Sequence, residues 1–246
     1  MGSTTSDAPV IPRTSARVSV FWSSELDGSA HRITFPFNGK PDILGQLVCD
    51  CTPATFGKGD IDVLDVECRC AGKQDSDRLS TSFHPADFGI LAAVEHTLLP
   101  GMNSDLDNEL QFRRIRAELR KLNIYSGPSE TSEPHVDTPR SKDQIGSLVV
   151  CLPSSHQGCA LVVRRGNHTT EYDWSEGSSS EIQWAAFYSD CKHKIRRVTS
   201  GNRITLTYNL YAVDPVSANF NSNPLLQVTK ITLYAHVRDL LEQRVF

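Results

Sequence analysis

Between about Ala117 and Val213 the chain passes through six short β-rich runs, ELRKLNIYS, GSLVVCLP, CALVVRRG, EIQWAAFY, HKIRRVTSG and RITLTYNLYAV, separated by Gly, Pro, Ser and Asn. No other feature of the sequence constrains the fold as strongly. Val, Ile, Thr, Tyr and Phe fit a pleated, half-buried surface, and the intervening residues are turn formers. Strands this short and this evenly spaced belong to a sandwich or a double-sheet jelly roll rather than to a parallel α/β sheet. The fold class read from this pattern is mainly β.

The remainder of the chain is arranged around that core. Residues 1–16, rich in Ser, Thr and Pro, read as a flexible leader. From 17 to 83 RVSVFWSS and HRITFPF alternate like strands, while GKPD, GKGD and AGKQDSD mark turns. His84 to Leu99 carries apolar residues at helical spacing and is followed by Pro100-Gly101, which predicts a helix and its stop. A second amphipathic stretch, 231–243, predicts a helix lying across the outside. With no internal repeat and no strong boundary, the expectation is a leader over 1–16 and a single domain over 17–246. That domain would hold strands and helices over 17–116, the jelly-roll core over about 117–213 and the helix at about 231–243.

Composition narrows the function classes. A chain of 246 residues with 39% hydrophobic and 8% aromatic residues has enough apolar material for an ordinary core. The formal net charge is −4 and the basic residues are scattered apart from short runs such as FRRIRAELRK, so no long cationic stripe is present to track nucleic acid. No apolar run approaches the ~20 residues that span a bilayer, and MGSTTSDAPVIPRTS lacks a signal-peptide core. The expectation is a soluble, cytoplasmic protein. Seven cysteines, an odd number, fit free thiols in a reducing compartment. Cys49 and Cys51, like Cys68 and Cys70, are one residue apart, and structural zinc sites space their paired ligands more widely. His84 and His96, single histidines on a helix, read as surface or core residues rather than ligands.

The stretch EPHVDTPRS places His135 two residues before Asp137. On a strand these side chains share a face, so both can hold one metal ion while Val136 points the other way. Composition alone gives such a pair about half the time, so a third ligand has to be found elsewhere. His193, in YSDCKHKIRRVTSG, lies between the strand-like EIQWAAFY and IRRV. A sheet bringing that edge beside the HVD edge would complete two imidazoles and a carboxylate, the facial triad of non-haem iron(II), with open positions for substrate and oxygen. Ten residues beyond His193, Arg203 begins an alternation with Thr205 and Thr207. One strand face would then carry a guanidinium fork and a hydroxyl, a pairing suited to a carboxylate.

In this respect the chain resembles the iron(II)- and 2-oxoglutarate-dependent oxygenases, specifically the prolyl-4-hydroxylase-like branch in the versions common in fungi. The resemblance runs from about Ala117 to Val213 and rests on KLNIYSGP, PHVDTPRS, GSLVVCLPSSHQG, QWAAFYSDCKH and VTSGNRITLTYNLY, in that order. It implies a double-stranded β-helix, the jelly-roll or cupin-like core, with flanking helices. It also implies that His135, Asp137 and His193 bind Fe(II) and that Arg203 pairs with the distal carboxylate of 2-oxoglutarate. Tyr125 matches a position where the family often places a hydroxyl near the cosubstrate, the alternative being a core tyrosine. Thr205 is a second candidate contact. Two departures affect loop shape only: His156-Gln-Gly158-Cys159 replaces the family's frequent HxGG, and Asn202 stands where close relatives often have His. Relatives frequently continue past LLEQRVF, so part of the substrate side is expected to be absent.

The implied reaction uses O2, with ascorbate as reductant, to oxidise an unactivated C–H bond while 2-oxoglutarate is decarboxylated to succinate. The absence of a leftover peptide-binding segment favours a small substrate, an amino acid or a metabolite derived from one, as in fungal secondary metabolism. The outcome would be hydroxylation, desaturation or cyclisation. Peptidyl-proline 4-hydroxylation is the runner-up, and a non-catalytic sensor binding iron and 2-oxoglutarate is the alternative of another class. A cupin-like zinc or manganese protein would use similar ligands without a role for Arg203. Arg140 is a candidate grip on a substrate carboxylate, against the alternative of a strand-end arginine paired to a surface acid. Trp184 and Phe187 read as core.

Overall fold

The computed structural model describes residues 17–37, 39, 41–58, 61–64, 71–99, 114–129, 134–137 and 139–213. The leader over 1–16 and the helix expected over 231–243 lie outside them. In chain order the elements are β1 (Val18–Ser23), β2 (Ala30–Phe35), α1 (Pro41–Asp50), β3 (Thr52–Pro53), β4 (Thr55–Lys58), β5 (Ile61–Leu64), β6 (Ala71–Asp75) and β7 (Leu79–Thr81). There follow α2 (Ile90–Leu98), β8 (Arg114–Ser126), β9 (His135–Val136), β10 (Gln144–Cys151), β11 (His156–Gly158), β12 (Leu161–Arg165), β13 (His168–Tyr172), β14 (Gln183–Tyr188), β15 (Lys192–Ile195) and β16 (Val198–Val213).

The fold is mainly β with a jelly-roll core. A large antiparallel sheet runs β14-β10-β16-β8-β6-β3, with β11 pairing to β16, and a four-stranded sheet runs β13-β12-β15-β9. A third sheet, β2-β1-β7, and the hairpin β4-β5 complete the described strands. Alternation along β10 and β16 divides the large sheet into two faces. Leu148, Val150, Ile204 and Leu206 enter one apolar cluster with Leu47 of α1, Ile90 and Val94 of α2, and Val20 and Phe35 of the third sheet. Val149 and Cys151 enter a second cluster with Leu161 and Val163 of β12, Ala185 and Phe187 of β14, and Ile195 of β15. Helices and the third sheet thus cover the outer face, and the four-stranded sheet covers the inner one.

Two local expectations change. Turns were expected around GKPD, but PDILGQLVCD forms α1, with Asp42 in the first turn and Leu47 fully buried. Pro41 suits a first helical position, and Ile43, Leu44 and Leu47 gather on one face, which outweighs the turn signal. The stretch expected as one helix over His84–Leu99 is divided at Gly89, whose φ of 70° belongs to the left-handed region. A 3-10 turn, Pro85–Phe88, precedes it and α2 follows. His84 caps that turn, its Nδ1 accepting the Ala86 N–H, and His96 is exposed in the last turn of α2. Trp184 packs partly buried against the outer cluster and Phe187 is buried in the inner one, so both are core residues.

Candidate metal centre

The HVD stretch lies at the edge of the four-stranded sheet. β9 pairs antiparallel with β15 in the register His135↔His193, so the two imidazoles are direct cross-strand neighbours. Their ring centroids are 4.3 Å apart with planes tilted by 58°. Asp137 follows on the same side of the chain, and one ligand atom from each of His135, Asp137 and His193 lies within 4.8 Å of the others. The Phe187 ring, across the inter-sheet space, packs 5.0 Å from the His193 ring.

Both oxygens of Asp137 are held. Ser147 Oγ on β10 donates to Oδ2 at 2.7 Å, and Arg120 Nη1 on β8 donates to Oδ1 at 3.3 Å. Burial works to raise this carboxyl, but neighbouring His193, the Ser147 hydrogen bond and Arg120 outweigh it and hold it at about 2. Burial, reinforced by His135 and opposed by Asp137, holds His193 at about 4. At neutral pH the group therefore offers a carboxylate and an uncharged imidazole, the protonation states that metal ligation requires. His193 Nδ1 is buried without a well-formed hydrogen bond, the Cys191 backbone being the one main-chain group that acts on the imidazole. A buried imidazole nitrogen left without a partner costs stability unless a ligand takes it up.

A second constellation lies on the inner face of the large sheet. Arg203 of β16 is fully buried, and its guanidinium carbon sits 4.9 Å from the Trp174 ring centroid and 5.6 Å from that of Tyr125. Nη1 makes a long contact of 3.9 Å to Cys159 Sγ, whereas Nε and Nη2 are buried without a partner. Burying an unpaired guanidinium is expensive, and its fork matches a carboxylate in two-point contact. Tyr125 is the cross-strand partner of Arg203, and Thr205, two residues along, is buried on the same face. Beside them His156 is buried, its Nδ1 hydrogen-bonded to the Ser154 carbonyl at 2.9 Å and its Nε2 without a partner.

The structure thus brings His135, Asp137 and His193 together and lines up Arg203, Tyr125 and Thr205 on the inner face of the large sheet. Arg140 is placed differently: it is exposed, its backbone N–H donates to Gln144 Oε1, and no carboxylate among the described residues pairs with its guanidinium. Sequence reasoning missed Ser147, Arg120, Lys121 and Trp174. Lys121 lies half-buried on β8 beside Arg120, and burial first, then Arg120, lowers its ammonium to about 8.

The donor set fits a hard-to-borderline divalent metal with open positions, and two neutral imidazoles with one carboxylate are the set that suits iron(II). The converging ligand atoms of His135, Asp137 and His193 fit a metal ion, and the two orphaned Arg203 donors fit a carboxylate-bearing cosubstrate.

No family model matches the chain, and no curated protein matches it. Similar solved structures include an oxidoreductase of the 2OG-Fe(II) oxygenase family from Burkholderia pseudomallei, with TM-score 0.36 and 17% identity over 52% of this chain and 54% of that one. A prolyl hydroxylase from Trichoplax adhaerens, in complex with a hypoxia inducible factor peptide fragment, has TM-score 0.36 and 12% identity over 68% of this chain and 73% of that one. A Pseudomonas putida prolyl-4-hydroxylase has TM-score 0.36 and 15% identity over 68% and 79%. The chain spans about half the length of the Burkholderia protein. At identities and scores this low, what the centre can hold is decided by its own donor set.

Proposed function

We propose that the chain is an iron(II)- and 2-oxoglutarate-dependent oxygenase of the prolyl-4-hydroxylase-like, fungal type, acting in the cytoplasm on an amino acid or a small molecule derived from one. The observation that carries this reading is the pairing of a His-Asp-His group, its ligand atoms within 4.8 Å, with a fully buried arginine that has two unpartnered donors. Neither half explains itself as a stabilising feature, since each leaves buried polar atoms unsatisfied.

His135, Asp137 and His193 would hold Fe(II), and Arg203, with Tyr125 and Thr205 beside it, would receive 2-oxoglutarate. When bound with O2, iron and cosubstrate supply the oxidising power for attack on an unactivated C–H bond, 2-oxoglutarate leaving as succinate and carbon dioxide. The protein's own contribution is position, charge and exclusion of water. Ser147 and Arg120 fix the Asp137 carboxylate in one orientation. Arg203 neutralises the distal carboxylate in a place closed to solvent, where its attraction is least screened. Phe187 against His193, and Trp174 against Arg203, form apolar walls that keep water from both groups.

The test is succinate formation from 2-oxoglutarate under air with iron(II) and ascorbate, comparing pooled free amino acids with pooled proline-containing peptides. Stimulation by amino acids is the expected result. Stimulation by peptides alone replaces the substrate with peptidyl proline, and iron and 2-oxoglutarate binding without turnover in either pool identifies a sensor. A protein that retains neither iron nor 2-oxoglutarate sinks the proposal.

A further inference from the structure

The apolar phase of β8 slips in its middle. Ile115, Ala117 and Leu119 lie on the outer face with the helices, and so do Leu122 and Ile124. Leu119 and Leu122 are three residues apart, so strict alternation is broken between them. The register shows the cause: Thr207 of β16 faces Lys121 and Tyr208 faces Leu119, leaving Arg120 as an extra residue in β8. A bulge of this kind turns two consecutive side chains to one side of the sheet, and bulges often re-aim side chains beside active sites. Here Arg120 and Lys121 both face inward. Arg120 reaches Asp137, and the Lys121 ammonium lies close enough to feel Arg120, Asp137, Lys73 and Asp75, while it in turn acts on His193.

The charges do not cancel. Lys73 is paired with Asp75 at 2.9 Å and Arg120 with Asp137 at 3.3 Å. Lys121, half-buried, has no hydrogen bond and no carboxylate within ion-pair distance among the described residues. Among the described residues three cations face two carboxylates there, and Lys121 is the cation without a partner on the wall beside the metal ligands. A partly desolvated ammonium without a counter-ion is costly, and an anionic ligand removes that cost. Asn123 and Thr207, next along the same face, are already hydrogen-bonded to each other at 3.1 Å, so they do not compete for the lysine.

We propose that the β8 bulge makes Lys121 the receptor for a carboxylate on the substrate, with Arg120 held in place on Asp137 as its positioning neighbour. This rests on the oxygenase reading and narrows it: the substrate is a small carboxylic acid whose acid group lies at the β8 wall, not at exposed Arg140.

The experiment uses the full chain reconstituted with zinc(II), which does not react with oxygen, and 2-oxoglutarate. Binding of zinc and then of 2-oxoglutarate is measured first by calorimetry; their absence means that the oxygenase reading has failed, before any acid is added. The twenty free amino acids and the corresponding amides, all carrying the same side chains, are then compared by thermal denaturation. At least one acid is expected to raise Tm by about 3–5 °C at ten times its dissociation constant, with its amide without effect. Lys121→Met should lose that shift while still binding zinc and 2-oxoglutarate, and Lys121→Arg should keep it, which separates loss of charge from loss of fold. Equal shifts from acids and amides, no shift from any acid, or a shift that survives in Lys121→Met overturns the inference.

Discussion

The two faces of the large sheet are built from the same strands, yet they solve opposite problems. On the outer face Ile204, Leu206, Leu148 and Val150 pack against helices and the third sheet, and among the described residues the buried side-chain polar atoms there have partners. Asp50 at the end of α1 accepts from Trp22 Nε1 at 2.8 Å and Ser24 Oγ at 2.9 Å, and Tyr208 Oη donates to the Phe83 carbonyl at 3.3 Å. On the inner face, one residue along in each strand, Arg203 Nε and Nη2 are buried with no partner, and across the gap His193 Nδ1 is buried without a well-formed hydrogen bond. The difference separates stability from function: buried polar atoms that are paired hold the fold together, whereas orphaned ones mark where a ligand belongs.

The sharpest way to break this comparison is to remove one residue from each side. His193→Ala is expected to lose metal affinity by more than the ~10–100-fold that a supporting residue costs, with metal content read by mass spectrometry and no fall in the Tm of the metal-free protein. Arg203→Met should weaken 2-oxoglutarate binding by about 2–5 kcal/mol, roughly 30- to 5,000-fold, with the metal retained. Its Tm should hold or rise, because an unpaired buried charge is gone. Leu206→Ala, the outward neighbour, should lose about 2–5 kcal/mol of folding stability in a denaturant titration and keep both ligands at conditions where it is folded. If Arg203→Met unfolds the protein and Leu206→Ala leaves stability untouched, the division between the faces is wrong.

Much of this division was legible in the sequence, because period-two alternation in GSLVVCLP and RITLTYNLYAV sets which residues share a face. The same rule placed His135 with Asp137, and Arg203 with Thr205. The pairing of β9 with β15 was only an inference, since no local pattern states which edges meet. Four features were missed for physical reasons. Ser147 looks like one polar residue in an apolar strand until its neighbour Asp137 is known. Trp174 lies between strands, with no period to place it. Arg120 and Lys121 did have a signal: the three-residue step from Leu119 to Leu122 in RIRAELRKLNIY is a phase slip, which a bulge explains and ordinary alternation does not. α1 was hidden because Gly-Lys-Pro-Asp scores as a turn until the burial of Leu47 decides otherwise.

Acid sharpens the comparison without changing a residue. In metal-free protein His193 titrates at about 4 against 6.5 for a free imidazole, chiefly through burial. A depressed folded value means that the unfolded chain takes up the proton first as pH falls, so this contribution to stability is complete above 6.5 and is lost on the way down to about 4. Buried His156, also lowered by burial, adds to the loss below the same starting point. On the outer face Asp50 is lowered too: burial opposes the shift, and the hydrogen bonds from Trp22 and Ser24 outweigh it. Its loss begins only below the ordinary carboxyl value of 3.8. Denaturant midpoints of metal-free protein should therefore fall between pH 6.5 and 4, and His193→Leu should flatten that limb. An unaltered slope in the variant would assign the acid sensitivity elsewhere.

The smallest effect compares two serines that each donate to a buried carboxylate. Ser147 Oγ reaches Asp137 Oδ2 at 2.7 Å on the inner face, and Ser24 Oγ reaches Asp50 Oδ1 at 2.9 Å on the outer face. Both hydrogen bonds favour the ionised acid, so on chemistry alone the alanine variants would behave alike. Their surroundings set them apart. Asp50 keeps Trp22 and Gln46 as donors and ties α1 to β1. Ser24→Ala should therefore cost about 1 kcal/mol of stability and leave metal affinity unchanged. Asp137 must present one orientation to a metal, and without Ser147 its only described donor is Arg120, at 3.3 Å. Ser147→Ala should lower metal affinity by roughly tenfold and raise the pH at which metal is released, because the carboxyl loses a hydrogen bond that keeps it ionised. A metal-release curve identical to wild type would make Ser147 a second Ser24, a residue of the fold and not of the centre.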